Sequence, residues 1–159
     1  MAYSANGTKL YYKKLGVGEY ATLTGGATTA FPTFDTETDE IPYLMEVPEL
    51  GKTVEKIDIT TLSDSVKRYL PGTKDYGDLV FKFLYDNSDS TANYAILREL
   101  DEDGEIAAFR LEYPDKDHTA HEFYAIPSVK MDAGALNGAL TFSATMLLQS
   151  DIEIDTATA

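Results

Sequence analysis

Over most of this chain apolar and polar residues alternate in short runs, and the runs are separated by Gly, Pro, Asn, Asp and Ser. Alternation with a period of two puts successive side chains on opposite faces of an extended strand. The first such run is Thr8 to Lys13, where Leu10 and Tyr12 alternate with Lys9, Tyr11 and Lys13. Ile41 to Val47 and Thr53 to Thr60 flank the turn residues Pro48-Glu49-Leu50-Gly51 and read together as a hairpin. Asp78 to Tyr85 places Leu79, Phe81, Phe83 and Tyr85 on one side and Val80, Lys82 and Leu84 on the other. Three later strands are expected near Glu105 to Tyr113, Glu122 to Met131 and Ala139 to Leu148. Their apolar faces are Ala107/Phe109/Leu111/Tyr113, Phe123/Ala125/Val129/Met131 and Leu140/Phe142/Ala144/Met146/Leu148. The period changes once: from Ser90 to Leu100, Ala92, Ile96 and Leu100 recur at a spacing of four. Ser88, Asp89 and Ser90 offer N-caps and Asp103-Gly104 a stop, so one helix is expected there.

Three segments lack a clean period. Gly16 to Glu40 carries Gly25-Gly26, many threonines and the acidic run Asp35-Thr36-Glu37-Thr38-Asp39-Glu40, which predicts an exposed loop or arm over about residues 14–40. Thr61 to Gly77 contains Pro71-Gly72 and predicts a second long loop, with a short helical turn near Ser65 to Tyr69. The tail, residues 151–159, reads as a short edge strand or a disordered terminus. Seven or so strands and one helix imply an all-β fold, a sandwich or barrel with one flanking α-helix, in a single domain spanning residues 1–159.

Composition narrows the function. A chain of 159 residues can bury roughly two thirds of its unfolded surface, enough for one core. Its apolar runs are far shorter than the roughly 20 residues of a membrane span, and the N-terminus lacks a basic, apolar leader. Without cysteine there is no disulfide and no thiolate metal site. Thirteen basic against 27 acidic residues give a net charge of −14, which disfavours attraction to phosphate backbones or anionic lipid.

Catalytic constellations are weak. Gly16-Val17-Gly18-Glu19-Tyr20-Ala21 has the letters of a dinucleotide fingerprint, but the Thr/Gly-rich sequence after it cannot supply the helix that would hold a pyrophosphate. Asp35 to Glu46 has the length of a calcium loop, yet Glu40 stands where the sharp bend needs glycine, so a solvated loop is expected. His118 and His121, with Asp115, Asp117 and Glu122 nearby, have metal-ligand chemistry but read as an exposed turn. Asn6-Gly7-Thr8 fits a glycosylation acceptor and, more simply, a turn. No nucleophile sits beside a base in any recognisable pattern, and no cofactor is called for.

The stretch from Glu55 through Thr61-Leu62, Lys67-Arg68-Tyr69-Leu70-Pro71-Gly72 and Gly77-Asp78-Leu79 to Phe83 resembles the signature region of siphophage tail tube proteins. In that family a strand ending in Thr-x-Leu enters a basic, aromatic, Pro-Gly-containing loop and leaves through a Gly-Asp-Leu strand. Tyr113-Pro114-Asp115 and Ala139 to Ala144 are similar as well. The resemblance implies a small β-sandwich with a flanking helix, and hexameric rings stacked into a tube that passes double-stranded DNA. It also implies a place in the virion tail, assembly in the host bacterial cytoplasm, tape measure, terminator and distal tail proteins as partners, and no enzymatic or membrane-binding role. Tail completion or head–tail connector subunits, contractile inner tubes and a glycan-binding decoration module are the alternative readings.

Residues that would serve such a role can be named. Leu62, Val66, Lys67, Arg68, Tyr69, Leu70, Lys74 and Tyr76 cluster apolar and basic character in one loop, as an inter-subunit or ring-stacking surface would. Asp35, Glu37, Asp39 and Glu40 form an acidic arm of complementary sign on a neighbour. Lys56, Asp58, Lys82, Thr141, Ser143 and Thr145 lie opposite the apolar strand faces and are candidates to face the channel, where Asp58 is expected to offset the lysines.

Overall fold

The computed structural model describes residue 2 and residues 4–15 and 31–156. Among the described residues ten strands and one helix are formed: β1 Lys9–Lys14, β2 Glu40–Ile41, β3 Leu44–Glu46, β4 Thr53–Asp58, β5 Tyr69–Asp75, β6 Leu79–Leu84, α1 Asn93–Asp103, β7 Ala107–Glu112, β8 Thr119–Met131, β9 Thr141–Leu148 and β10 Glu153–Thr156. An antiparallel sheet runs β2-β1-β7-β8-β9-β6-β3, while β4 and β5 pair apart from it. The tail residues 153–156 take the edge-strand option, continuing along β8 beyond the end of β9, with Glu153 opposite Glu122 and Ile154 opposite His121.

The two outermost strands of the sheet are neighbours in sequence, because only Pro42 and Tyr43 separate β2 from β3. One short segment therefore serves both edges, and the sheet all but closes into a barrel. Pro42 cannot donate to a ladder and Tyr43 adopts a φ of 62°, so the expected strand from Ile41 to Val47 breaks into two pieces that pair in different places. Asn93, fully buried at the start of α1, pins this seam. Its Nδ2 donates to the carbonyls of Pro42 (2.9 Å) and Leu84 (2.8 Å), and its Oδ1 accepts from the amides of Asp86 (3.2 Å) and Tyr94 (2.6 Å). All four valences of the amide are thus satisfied.

Inside the barrel lie the expected alternating residues: Leu79, Phe81 and Phe83 of β6, Phe109 and Leu111 of β7, Phe123 and Ala125 of β8, and Phe142, Ala144 and Met146 of β9. Phe123 stacks between Phe81 (6.4 Å) and Phe109 (5.7 Å), and Phe83 stacks on Phe142 (5.2 Å). The helix adds Ile96, Leu97 and Leu100 to this core. It starts later than the spacing predicts, after Ala92. Asp89 instead folds the preceding turn by accepting from the Thr91 amide and hydroxyl. Gly104 ends it in the left-handed conformation, and Asp101 reaches across to accept the Val129 amide from β8 (3.1 Å).

Part of the expected arm is core. Strands β7 and β8 are apolar on their second face as well, through Ala108 and Tyr124, and with Ile106 these residues need cover. Phe31 and Phe34 supply it, Phe31 stacking on Tyr124 at 4.7 Å. Residues 16–30, including the Gly16 to Ala21 fingerprint, lie outside the described residues.

Where the sequence implied a hairpin of Ile41–Val47 with Thr53–Thr60, the structure pairs β4 with β5 and β3 with β6. The expected loop from Thr61 to Gly77 is therefore half strand, and no helical turn forms near Ser65 to Tyr69. Pro71 and Gly72 look like loop residues but lie within β5, where, among the described residues, nothing pairs on the other edge to need a Pro71 amide. A Cβ on Gly72 would sit 3.1 Å from the Glu55 carbonyl oxygen, so a larger residue would press on the partner backbone at the irregularity between Val54 and Lys56.

Candidate assembly surfaces

The β4–β5 hairpin stands outside the barrel with its side chains in solvent. Ile57, Tyr69 and Leu70 are about half exposed, Val66 is 73% exposed and Leu62 entirely so. Its tip is held by local contacts among its own residues. Asp64 accepts from the amide (2.8 Å) and hydroxyl (3.0 Å) of Thr61, and Asp58 from the Thr60 amide (2.9 Å). These bonds hold both carboxyls below the usual aspartate range. Arg68 lies 3.6 Å from Asp64, Lys67 is exposed, and Lys56 sits over the Tyr69 ring at 5.6 Å. Leu62, Val66, Lys67, Arg68, Tyr69 and Leu70 thus share one projecting element. Lys74 and Tyr76 lie at its base and both bind Asp151, Lys74 at 2.9 Å.

A second surface is the outer face of β6 and β9, where Lys82 is paired with Ser143 and Val80 with Thr145. Thr141 and Ser143 donate to the two oxygens of Asp132 (2.9 and 2.8 Å). Those bonds, with Lys82 and Lys130 nearby, hold the Asp132 carboxyl low. Glu46 is the cross-strand partner of Lys82. Lys82, Thr141, Ser143 and Thr145 therefore share a face, interspersed with the exposed aliphatic side chains of Val80, Leu84 and Leu147. Lys56 and Asp58 belong to the hairpin instead, so the acid beside Lys82 is Asp132 and not Asp58. Asp132 went unnoticed in the sequence because it lies just past the end of β8, where alternation stops.

The acidic run is an independent turn. Asp35 accepts from the amides of Glu37 (2.8 Å) and Thr38 (3.3 Å), and the Asp35 amide donates to the Asp39 carboxylate (2.8 Å). Glu40 turns away to Lys9 at 3.6 Å. Carboxylates occupied in this way cap their own loop. The two histidines diverge: His118 meets Glu112 (3.0 Å) on the outer face, whereas His121 lies edge-on to Tyr113 (5.3 Å) on the other. Burial lowers the His121 pKa. Among the described residues no group of three or more His, Asp or Glu is arranged to hold a metal ion.

Beneath the Phe31–Phe34 strap, Arg110 is nearly buried and binds Glu122 on β8, Asp155 on β10 (2.8 Å) and Glu112 (3.5 Å). Burial raises the Glu122 pKa against the pull of the guanidinium. Tyr11, beside this cluster, is pushed up to about 12 by burial and by Glu112 and Glu40. The network ties the last strand to the barrel.

The described residues thus form a barrel with its own core, a projecting apolar and basic hairpin and a mixed polar and aliphatic outer face on β6 and β9. Sequence comparison with curated proteins found no match. Among solved structures, a chain of the anti-feeding prophage baseplate is similar at a TM-score of 0.64 and 12% identity, with 100% of both chains covered. A chain of the native gene transfer agent virion reaches 0.61 at 16% identity over 98% of this chain and 100% of that one. One from the tail of the empty gene transfer agent particle reaches 0.58 at 19% identity over 92% and 96%. These likenesses establish the fold. The family model for phage tail tube protein matches residues 19–155, and the chain belongs to that family.

Proposed function

We propose that this chain, a structural component of the virion tail as its family implies, forms hexameric rings that stack into the tube of a non-contractile tail and conduct double-stranded DNA. The observation that carries the reading is the β4–β5 hairpin, whose apolar side chains are solvent-exposed in the single subunit although the barrel beside it is well packed. The hairpin is the ring-stacking element, and its neighbours in the tube cover Leu62, Val66 and Leu70. The outer face of β6 and β9 is the channel wall. There Lys82 and Lys130 are offset by Asp132 and Glu46, so that DNA slides rather than binds. The chain has no catalytic role and works without a cofactor. Tape measure, terminator and distal tail proteins are its further partners, as the family resemblance implies.

Electron microscopy of the purified protein tests this directly, with long uniform tubes expected. A Leu62→Glu/Val66→Glu variant should keep the wild-type circular dichroism spectrum and melting temperature while tube growth, followed by light scattering, stops. Growth of that variant at the wild-type rate would remove the hairpin from the interface. Single capped rings from the wild type would favour a tail-completion subunit.

A further inference from the structure

The hairpin joins the barrel through two short connectors, residues 47–52 and 76–78, and carries no buried core residue of its own. The first connector packs Leu50 against the barrel core, while the second, on the hinge side of β5, adds no core hydrophobe. Among the described residues, the hydrogen bonds and ion pairs that link it to the barrel all end on one side chain, Asp151. The Oδ2 of Asp151 takes the Lys74 ammonium at 2.9 Å, and its Oδ1 takes the Tyr76 hydroxyl and the Ile152 amide (2.9 Å).

Asp151 itself stands on a fixed platform. Before it, the Gln149 amide donates to the Tyr124 carbonyl (2.8 Å), and the Tyr124 amide donates to Ser150 Oγ (3.0 Å), which joins this corner to the middle of β8. After it, β10 pairs with β8 and is held again through Asp155 and Arg110. Lys74 and Tyr76 sit at the end of β5 and just beyond it, on the hairpin's hinge side. A carboxylate that clamps both at once restrains the hinge side of β5, opposite the connector that Leu50 anchors to the core.

We propose that Asp151 is the positioning residue that sets the angle of the β4–β5 hairpin on the barrel and holds it ready for a neighbouring subunit. The inference rests on the reading of the hairpin as the assembly element. Fixing the angle in the free subunit lowers the ordering cost of docking, which a swinging hairpin would meet at each addition.

The chain has no cysteine, so spin labels at Ser65→Cys in the tip and Ser128→Cys on β8 report the hairpin angle without background. In dilute monomer the labelled chain should give one narrow distance peak, and adding Asp151→Ala should broaden it while the barrel's melting temperature holds. Unlabelled Asp151→Ala should elongate tubes about tenfold more slowly, the effect of some 1.4 kcal/mol per addition. Asp151→Lys alone should fail likewise, and Lys74→Glu/Asp151→Lys should restore both the narrow peak and growth, a rescue that a merely structural role would not give. Should Asp151→Ala destabilise the barrel, Asp151→Asn, which keeps the shape and removes the charge, gives the same comparison. A narrow peak and wild-type growth in the alanine and asparagine variants would overturn the proposal. Failure of the hairpin reading is seen separately, as undiminished growth of the Leu62→Glu/Val66→Glu variant.

Discussion

The barrel and the hairpin are both antiparallel β-structure, and the hairpin's two strands lie in sequence between two neighbouring strands of the barrel, yet they are held by different forces. Leu79, Phe81 and Phe83 of β6 are fully buried, and each large side chain of this kind contributes about 1.5–3 kcal/mol. In β4 and β5 no residue is buried, and only Val54 and Gly72 are even partly covered. Backbone ladders and capped turns remain, and a lone two-stranded hairpin is marginal in water. Secondary structure alone therefore says little about stability. The hairpin's apolar side chains stay in solvent in the single subunit.

That contrast can be broken most forcefully at Phe83. Phe83→Ala should cost about 3–5 kcal/mol in urea unfolding, whereas Leu62→Ala at the tip should stay within about 0.5 kcal/mol. Comparable losses at the two positions would mean that the hairpin is part of the folding core after all. Asn93→Ala comes next. It strands the Pro42 and Leu84 carbonyls and the Asp86 amide, while the Tyr94 amide keeps the Asp86 carbonyl (3.2 Å), and a loss of about 2–3 kcal/mol is expected from the same measurement. A loss near zero would show that the seam closes without its pin.

The smallest effect sharpens the comparison through acid. Hydrogen bonds from Ser143 and Thr141 hold the Asp132 carboxyl below its ordinary value of 3.8. Its stabilisation is therefore present above that value and is lost as pH falls through the depressed one. Asp132→Asn should make the urea midpoint slightly less sensitive to acid. Asp64→Asn, which touches only the hairpin tip, should leave that dependence unchanged. An equal response from both variants would show that tip and barrel unfold as one unit.

Much of the barrel was legible because burial on one side of a strand writes itself as alternation. Leu79/Phe81/Phe83, Phe123/Ala125 and Phe142/Ala144/Met146 were read directly, as were Ile96 and Leu100 on the helix. Pairing was less legible, since alternation is local and does not say which strand lies alongside. The break at Pro42-Tyr43 and the strand hidden in Tyr69–Asp75 both followed from this. Phe31 and Phe34 escaped because a strap that covers a second face has no period. The apolar and basic content of residues 62–70 did single out the projecting element, although not its strand conformation. Nothing in the chain marked Asp151: one aspartate among 27 acidic residues gains its role only from where the fold sets it down.

Because β3 and β6 pair directly, with Glu46 opposite Lys82, the β4–β5 hairpin is in effect a turn that has grown outward. The barrel sees only where that turn begins and ends. Doubling the length of such a connection costs only about 0.6 kcal/mol in closure entropy. The reach of the subunit is therefore a dimension that insertion and deletion can change freely, as with a cassette, while the sequence that folds the body stays as it is.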